Sequence, residues 1–181
     1  MKKHFTRPLS ADYFTAKELT SLIGCSQDQW HVTILKEMID NSLDAAEQIT
    51  KSPKIEILVT QDGSLVVKDN GPGIPEQVVN GSLDFESFIS DKNGKVSPSR
   101  GQLGNALKCM YAVPLVTDGQ AHIEIISQNM HHNIKLAFDT MTGKPVVSKK
   151  TKEQEVHFGC FFKIHDFLQS CSKKTKMEKM G

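Results

Sequence analysis

The chain has 181 residues, 38% hydrophobic and 24% charged, with a formal net charge of +1. That length fits one domain with a real core. The charge balance excludes a whole surface built to bind nucleic acid, and no stretch is long and apolar enough to span a bilayer. Behind the charges of Met1-Lys2-Lys3-His4-Phe5 there is no apolar run, so the N-terminus does not read as a secretory signal. Cys25, Cys109, Cys160 and Cys171 are scattered without short paired spacing, which argues against structural zinc and for reduced thiols in a cytoplasmic setting.

In chain order, residues 1–14 are mixed and contain Phe5, Tyr13 and Phe14, the pattern of an extended N-terminal arm. Thr15 with Glu18 forms a capping box ahead of Leu19, Leu22 and Ile23, and Gly24 ends that short helix. Ser26 with Gln29 forms a second capping box, opening a long helix that runs to about Thr50, with Pro53 beyond it. Ile55, Ile57 and Val59 alternate with polar residues as in a half-buried strand. Gln61-Asp62-Gly63-Ser64 is a hairpin turn, and Leu65-Val66-Val67-Lys68 returns from it into Asp69. After Gly73 the pattern is irregular. Residues 80–100, with Gly81, Gly94 and Pro98, form a polar stretch long enough to be a lid.

Helical character resumes from about Leu103 to Tyr111, and strands are predicted near 121–128, 133–138, 145–149 and 155–164. His131-His132 is a poor chelating pair, because neighbours on a strand point to opposite faces. Residues from Ser170 on are Lys-rich and read as a frayed tail or linker. The predicted units are an arm over 1–14, a domain over 15–168 and a polar tail over 169–181. A helix-rich half followed by a strand-rich half predicts an α+β, two-layer sandwich, with helices on one face of a mixed, mainly antiparallel sheet.

The long helix carries the richest chemistry. Glu37, Asn41 and Asp44 fall within about 60° of one another at 100° per residue, while Leu35, Met38, Ile39, Leu43 and Ala46 take the other side. Such a stripe is often only a solvated face. Here there is no Lys or Arg between Glu37 and Asp44 to form the ion pairs of an ordinary surface helix. Asp69-Asn70-Gly71-Pro72-Gly73-Ile74 follows a strand. Its Asp is placed to accept from an exocyclic amine, and its glycines let backbone approach a flat ligand, although the same residues also make plain turns. Arg100-Gly101-Gln102-Leu103-Gly104-Asn105-Ala106-Leu107-Lys108 opens a helix. It is read either as a phosphate cradle of backbone N–H groups with two flanking cations or as a loop packed under the helix. Neither a P-loop pattern nor Gly-x-Gly-x-x-Gly is present.

Taken in order, Glu37-x-x-x-Asn41-x-x-Asp44-Ala45, Asp69-x-Gly71-x-Gly73 and Gly101-x-x-Gly104 with Lys108 resemble the three boxes of the GHKL, or Bergerat-fold, ATPases. That family includes gyrase, a heat-shock chaperone, MutL-type repair proteins and sensor histidine kinases. Tyr13-Phe14-Thr15-x-Lys17-Glu18-Leu19, Ile34-Leu35-Lys36-Glu37 and Ser97-Pro98-Ser99-Arg100-Gly101 are most similar to ATP-binding proteins of the topoisomerase VI B type.

The resemblance implies ATP and Mg²⁺ as ligands. Glu37 would be the general base and Asn41 the Mg²⁺ ligand. Asp69 would accept the adenine amine, directly or through water, and Gly73 would shape the adenine pocket. Gly101, Gly104 and Lys108 would hold the phosphates. Asp44, Gly71, Ile74, Arg100, Gln102, Leu103, Asn105 and Cys160 complete the expected nucleotide site. Asp40 and Asp44 are left to orient water or to cap backbone. Where the family usually places a Thr after Gly in a late strand, bonded to the adenine-binding Asp, this chain has Gly159-Cys160, and a thiol is a weak donor.

Dimerisation through the N-terminal arm, a DNA or topoisomerase-like partner, and no membrane are implied on the same footing. Two-armed members carry a further domain that sends a Lys to the γ-phosphate. The chain ends at Gly181, so it is expected either to be a piece of a longer protein or to hydrolyse slowly or with a partner. Other readings are a non-hydrolysing nucleotide-dependent interaction module and a GHKL protein kinase.

Overall fold

The computed structural model describes residues 13–85, 103–139, 141–142 and 144–168. These residues fold as helices laid over one face of a six-stranded sheet. The strands are β1 (Ile55–Val59), β2 (Leu65–Asp69), β3 (Gln120–Ser127), β4 (Met130–Phe138), β5 (Pro145–Glu153) and β6 (Cys160–Ile164), in the order β1-β2-β6-β3-β4-β5. Every neighbouring pair among them is antiparallel, which corrects the expectation of a mixed sheet. β2 and β3 run in the same direction, as a helical crossover requires. The last strand, β6, inserts between them antiparallel to both, so no parallel pair forms.

The strand period settles which residues face the helices. Along β3, Ala121, Ile123, Ile125 and Ser127 are buried, while His122, Glu124 and Ile126 on the other face are half-buried. β6 repeats the pattern with Cys160, Phe162 and Ile164 buried. At the edge, β1 departs from it, and Ile57, Leu58 and Val59 are all exposed.

α1 (Ala16–Ile23) starts and stops where its caps predict. The Glu18 N–H donates to Thr15 Oγ1 at 3.2 Å, and Gly24 ends it at φ +78° with its N–H on the Thr20 carbonyl. The second predicted capping box does not form. Ser26 hydrogen-bonds Asp28 instead, and a 3-10 turn, Gln27–Gln29, precedes α2 (Trp30–Glu47), which ends three residues before Thr50. α3 (Glu76–Ser82) has no counterpart among the predicted elements, because seven residues are too short for a periodic signal. α4 (Leu103–Asp118) runs well past Tyr111 and through Pro114. Its second half is held by burial of Ala112, Val113 and Leu115 against the sheet.

The core lies between the layers and includes Leu19, Trp30, Ile34, Tyr111, Ile123 and Ile125, each at most 1% exposed. Each side chain of this size contributes about 1.5–3 kcal/mol on burial. Tyr13 and Phe14, the end of the expected arm, pack into the domain edge-on against Phe85. Among the described residues, no helix is long and apolar enough to cross a membrane.

Candidate functional site

α2 buries one stripe spaced at four residues: Trp30, Ile34, Met38, Ser42 and Ala46. Leu35, Ile39 and Leu43 are only half-buried. The packed face therefore adjoins the Glu37–Asn41 stripe instead of opposing it, and this corrects the two-sided helix expected from hydropathy. The consequence is functional. Asn41 lies at the margin of the core, beside a cavity, rather than on the solvated face. Its Nδ2 is buried and has no hydrogen-bond partner among the described residues. A buried amide of this kind costs about 1–3 kcal/mol unless something satisfies it.

The cavity sits between α2, the sheet and α4. Met38, Asn41, Ser42 and Ala45 of α2 form one wall, with Leu107 and Met110 of α4 opposite. Val67 and Asp69 of β2 and Cys160 and Phe162 of β6 form the floor, and Gly73 and Ile74 form the rim. This is an apolar slot with a few convergent polar groups, the usual character of a small-molecule site.

Asp69 ends β2 and is 8% exposed. Burial raises its pKa above the ordinary value of 3.8. Opposing that, its carboxylate accepts from the Gly71 N–H, the Ser42 side chain and the Cys160 N–H. Its Oδ1 lies 2.9 Å from the Gly71 nitrogen and 3.1 Å from that of Cys160. The backbone of residue 160 thus bonds to the Asp that a Thr hydroxyl usually contacts in the family the sequence resembles. The Cys160 thiol itself is pushed far up by burial and then by Asp69, with a side-chain hydrogen bond to Ser127 working against them, and stays a neutral thiol.

The loop after Asp69 is pinned to the sheet. The Ile74 N–H donates to Ser127 Oγ at 2.6 Å, and the Gln128 amide donates to the Pro72 carbonyl at 3.2 Å. Gly73 takes φ +80°, and a Cβ there would strike Ser127 and the Gly159 carbonyl. Gly159 is tighter still. A Cβ on it would run into the backbone of Gly71 and Oδ1 of Asp69. Only a residue without a side chain lets β6 approach the Asp69 loop this closely.

Not every predicted site residue enters this cavity. Asn41, Asp69, Gly73, Ile74 and Cys160 line it, and Gly71 holds its floor. Glu37 is half-buried one turn before Asn41 on α2, close enough to Cys109 of α4 to act on that thiol, which burial and then the Glu37 charge push up to about 12. Asp44 is half-buried on α2 and does not line the cavity. Asp40 belongs to a surface ion pair, its Oδ2 2.6 Å from Lys36 Nζ at i,i+4 spacing. That corrects the reading of a stripe without such pairs, because the cation lies one residue before the stripe begins.

Lys108 lies with its ammonium 5.8 Å from the centre of the Tyr13 ring. Burial lowers its pKa, and Asp84 works against that. Leu103, Gly104 and Asn105 form the first turn of α4, while Arg100, Gly101, Gln102 and residues 86–100 of the 80–100 stretch expected to form a lid lie outside the described residues. Sequence reasoning did not assign to the site Ser42, Ser127 or the wall residues Met38, Val67, Leu107, Met110 and Phe162. Ser42 carried a usable signal, since it is a polar residue on the buried spacing of α2.

Residues 27–136 match the family described as histidine kinase-, DNA gyrase B- and HSP90-like ATPases. The chain is 29% identical over 122 residues to the B subunit of type 2 DNA topoisomerase 6 from Methanosarcina acetivorans, covering 63% of this chain and 19% of that protein. It is 31% identical over 130 residues to the protein of the same name from Halobacterium salinarum, covering 67% of this chain and 16% of that one. It therefore spans less than about a fifth of the length of these curated relatives. Among solved structures, the ATPase region of Saccharomyces cerevisiae topoisomerase II aligns over 77% of this chain and 38% of that one, at 16% identity and a TM-score of 0.46. With the match covering residues 27–136, the chain belongs to the GHKL family of histidine kinase-, DNA gyrase B- and HSP90-like ATPases.

Proposed function

We propose that this domain binds ATP with Mg²⁺ in the cavity between α2 and the sheet and hydrolyses it as a switch, in the manner of topoisomerase VI B-like proteins. The observation that carries the reading is the buried Asn41 amide, unpartnered at Nδ2 among the described residues and lining the same cavity as Asp69. A 180° turn of that amide exchanges its nitrogen for an oxygen, so the side chain suits an oxygen-coordinated cation. Bound there, Mg²⁺ would neutralise charge on the phosphates.

The chain's own groups supply the rest. Asp69, its Oδ1 engaged by Gly71 and Cys160, uses its remaining acceptor capacity for the adenine amine. Met38, Met110 and Phe162 exclude water from the base. Glu37 orients the attacking water and takes its proton as that oxygen bonds to the terminal phosphorus and ADP leaves. Gly71, Gly73, Ile74 and Cys160 shape the base site. Arg100, Gly101, Gln102, Leu103, Gly104, Asn105 and Lys108 are proposed to hold the phosphates, with Asp44 orienting water or backbone nearby.

Residues 15–168 are proposed as the nucleotide-binding unit, in a cytoplasmic setting. Dimerisation through residues 1–14 on ATP binding is proposed from the family, as is a DNA or topoisomerase-like partner. Calorimetric titration with ATP and Mg²⁺, followed by a phosphate-release assay, tests the reading. Saturable binding with turnover supports it, and no binding at millimolar nucleotide overturns it. Binding without turnover in either the isolated or the partnered protein would assign a nucleotide-dependent interaction module instead.

A further inference from the structure

The face of the sheet turned away from the helices carries a second chemical centre, unrelated to the nucleotide cavity. His122 and Glu124 are i and i+2 on β3, so their side chains stand side by side on that face. His165 directly follows β6. The register pairs Ile123 with Ile164, and the His165 N–H donates to the His122 carbonyl at 3.0 Å. That pairing stacks the two imidazoles, with centroids 3.8 Å apart and planes 5° from parallel. His165 Nε2 lies 2.5 Å from Glu124 Oε1. One donor atom from each of His122, Glu124 and His165 lies within 4.8 Å of the others, and all three residues are half-buried.

We propose that His122, Glu124 and His165 form a binding site for a first-row transition-metal dication of the zinc class. Two imidazoles and one carboxylate are a common donor set for such ions, with a fourth position left to water. Donors around a tetrahedral ion with bonds of about 2.1 Å stand about 3.4 Å apart. Closing from 4.8 Å asks for small rotations about the soft Cβ–Cγ torsions of the two histidines. The backbone is already in place, because β3 and β6 are paired along their length.

An outer layer of partners supports the set. His131 Nε2 lies 2.8 Å from Glu124 Oε2, and Asn133 Nδ2 lies 3.1 Å from His122 Nε2. Ligating groups are typically held by such contacts. His122 and His165 also line an open groove of about 580 Å³ shared with Ser148 and Asp166, which gives an ion and its water a route in. Lys135 lines the same groove and opposes a cation there, so the site is expected to exchange its metal readily. Magnesium is disfavoured, since it prefers oxygen donors in octahedral array. The site is therefore chemically separate from the Mg²⁺ position proposed at Asn41.

The test uses the full, untagged chain, stripped with a chelator and titrated with Co²⁺ in the absence of nucleotide. One equivalent is expected to bind with the visible absorption of a four- or five-coordinate ion, and Zn²⁺ is expected to displace it. The double substitution His122→Ala with His165→Ala should abolish the band. His131→Ala should weaken binding about tenfold by removing a supporting contact, and His157→Ala should leave it unchanged. Imidazole NMR on the unsubstituted chain, with Zn²⁺ added, should shift the His122 and His165 ring signals and not that of His31, which reads the site without any variant. Absence of stoichiometric binding overturns the proposal, as do a band that survives the double substitution, a thiolate charge-transfer band placing the ion on cysteine, and unshifted His122 and His165 rings. None of these outcomes bears on ATP binding, because the two sites lie on opposite faces of the sheet.

Discussion

The two faces of one sheet differ in what their side chains have left to do. On the helix side, β2, β3 and β6 offer Val67, Ile123, Ile125 and Phe162 to the core, and the Asp69 carboxylate beside them is held chiefly by backbone N–H groups. Asp69 accepts from the Gly71 and Cys160 N–H groups and from the Ser42 side chain, and Ser127 accepts from the Ile74 N–H, with β6 fixed by strand pairing. On the other side, the side chains of His122, Glu124, His131, Asn133 and His165 hydrogen-bond one another, above strands that the backbone pairs. Backbone-held groups are rigid and cannot be replaced piecemeal. Side-chain clusters rest on torsions that turn easily. The difference suggests a preorganised cleft for nucleotide on one face and an adaptable set of donors on the other.

The largest expected effect breaks the helix side at its proposed catalytic group. Replacing Glu37 with Gln keeps the shape of α2 and removes the base. Turnover should fall by about 10²–10⁴-fold, with nucleotide affinity nearly unchanged, as measured by phosphate release and calorimetry. If turnover persists, Glu37 is not the base. The site on the opposite face should bind Co²⁺ as before, so the same variant also checks that the two faces are independent.

Next in size is Gly159→Ala. The new methyl group would meet backbone atoms of Gly71 and the Asp69 carboxylate, neither of which can rotate away. Overpacking of this kind costs about 1–3 kcal/mol, read as a lower midpoint in denaturant, together with lost nucleotide affinity. A neutral result would mean that the Asp69 loop is free to shift, contrary to its hydrogen bonds with Ser127 and Gln128.

Asp69 sharpens the comparison through pH. Burial raises its pKa above 3.8, so the folded chain holds this proton more tightly than the unfolded chain does. By linkage, Asp69 destabilises the fold when ionised, and that penalty is relieved as the pH falls through its raised folded value. Adenine binding moves in the opposite direction, because the proposed acceptor is the carboxylate. Affinity for ADP should therefore weaken on acidification within a range above that of an ordinary aspartate, as measured by calorimetry across pH, and Asp69→Asn should flatten the profile.

Much of this was legible in the sequence, for local reasons. The first helix was written in Thr15, Glu18 and Gly24, and the hairpin in Asp62-Gly63. The predicted strands placed β3 to within one residue at each end and ended β6 at Ile164, although they began it five residues early. The boxes singled out Asn41, Asp69 and Gly73, which the fold brings to one cavity. What stayed hidden depends on tertiary placement. Nothing local announces that β6 slides between β2 and β3, and that insertion alone makes the sheet wholly antiparallel and brings the Cys160 N–H to Asp69. It also brings His165 to His122, a pair far apart in the sequence, where attention to adjacent His131-His132 led elsewhere. The continuation of α4 through Pro114 depends likewise on burial, which overrides a local breaker.

The smallest expected effect contrasts two pairs of identical spacing on α2. Lys36 and Asp40 are four apart and ion-paired at 2.6 Å, while Glu37 and Asn41, one residue on, are also four apart, and Asn41 lines the cavity. The Lys36 side chain is 67% exposed. Water screens the charge, and both side chains lose freedom on pairing, so such a bridge is worth at most about 0.5 kcal/mol. Lys36→Ala should therefore change the unfolding midpoint by less than that amount. The shift should shrink further in high salt, since the Lys36 end of the pair lies in solvent. Turnover should stay at its starting level. A loss of turnover in Lys36→Ala would show that the Lys36–Asp40 pair supports the function of the neighbouring Glu37 rather than lying apart from it.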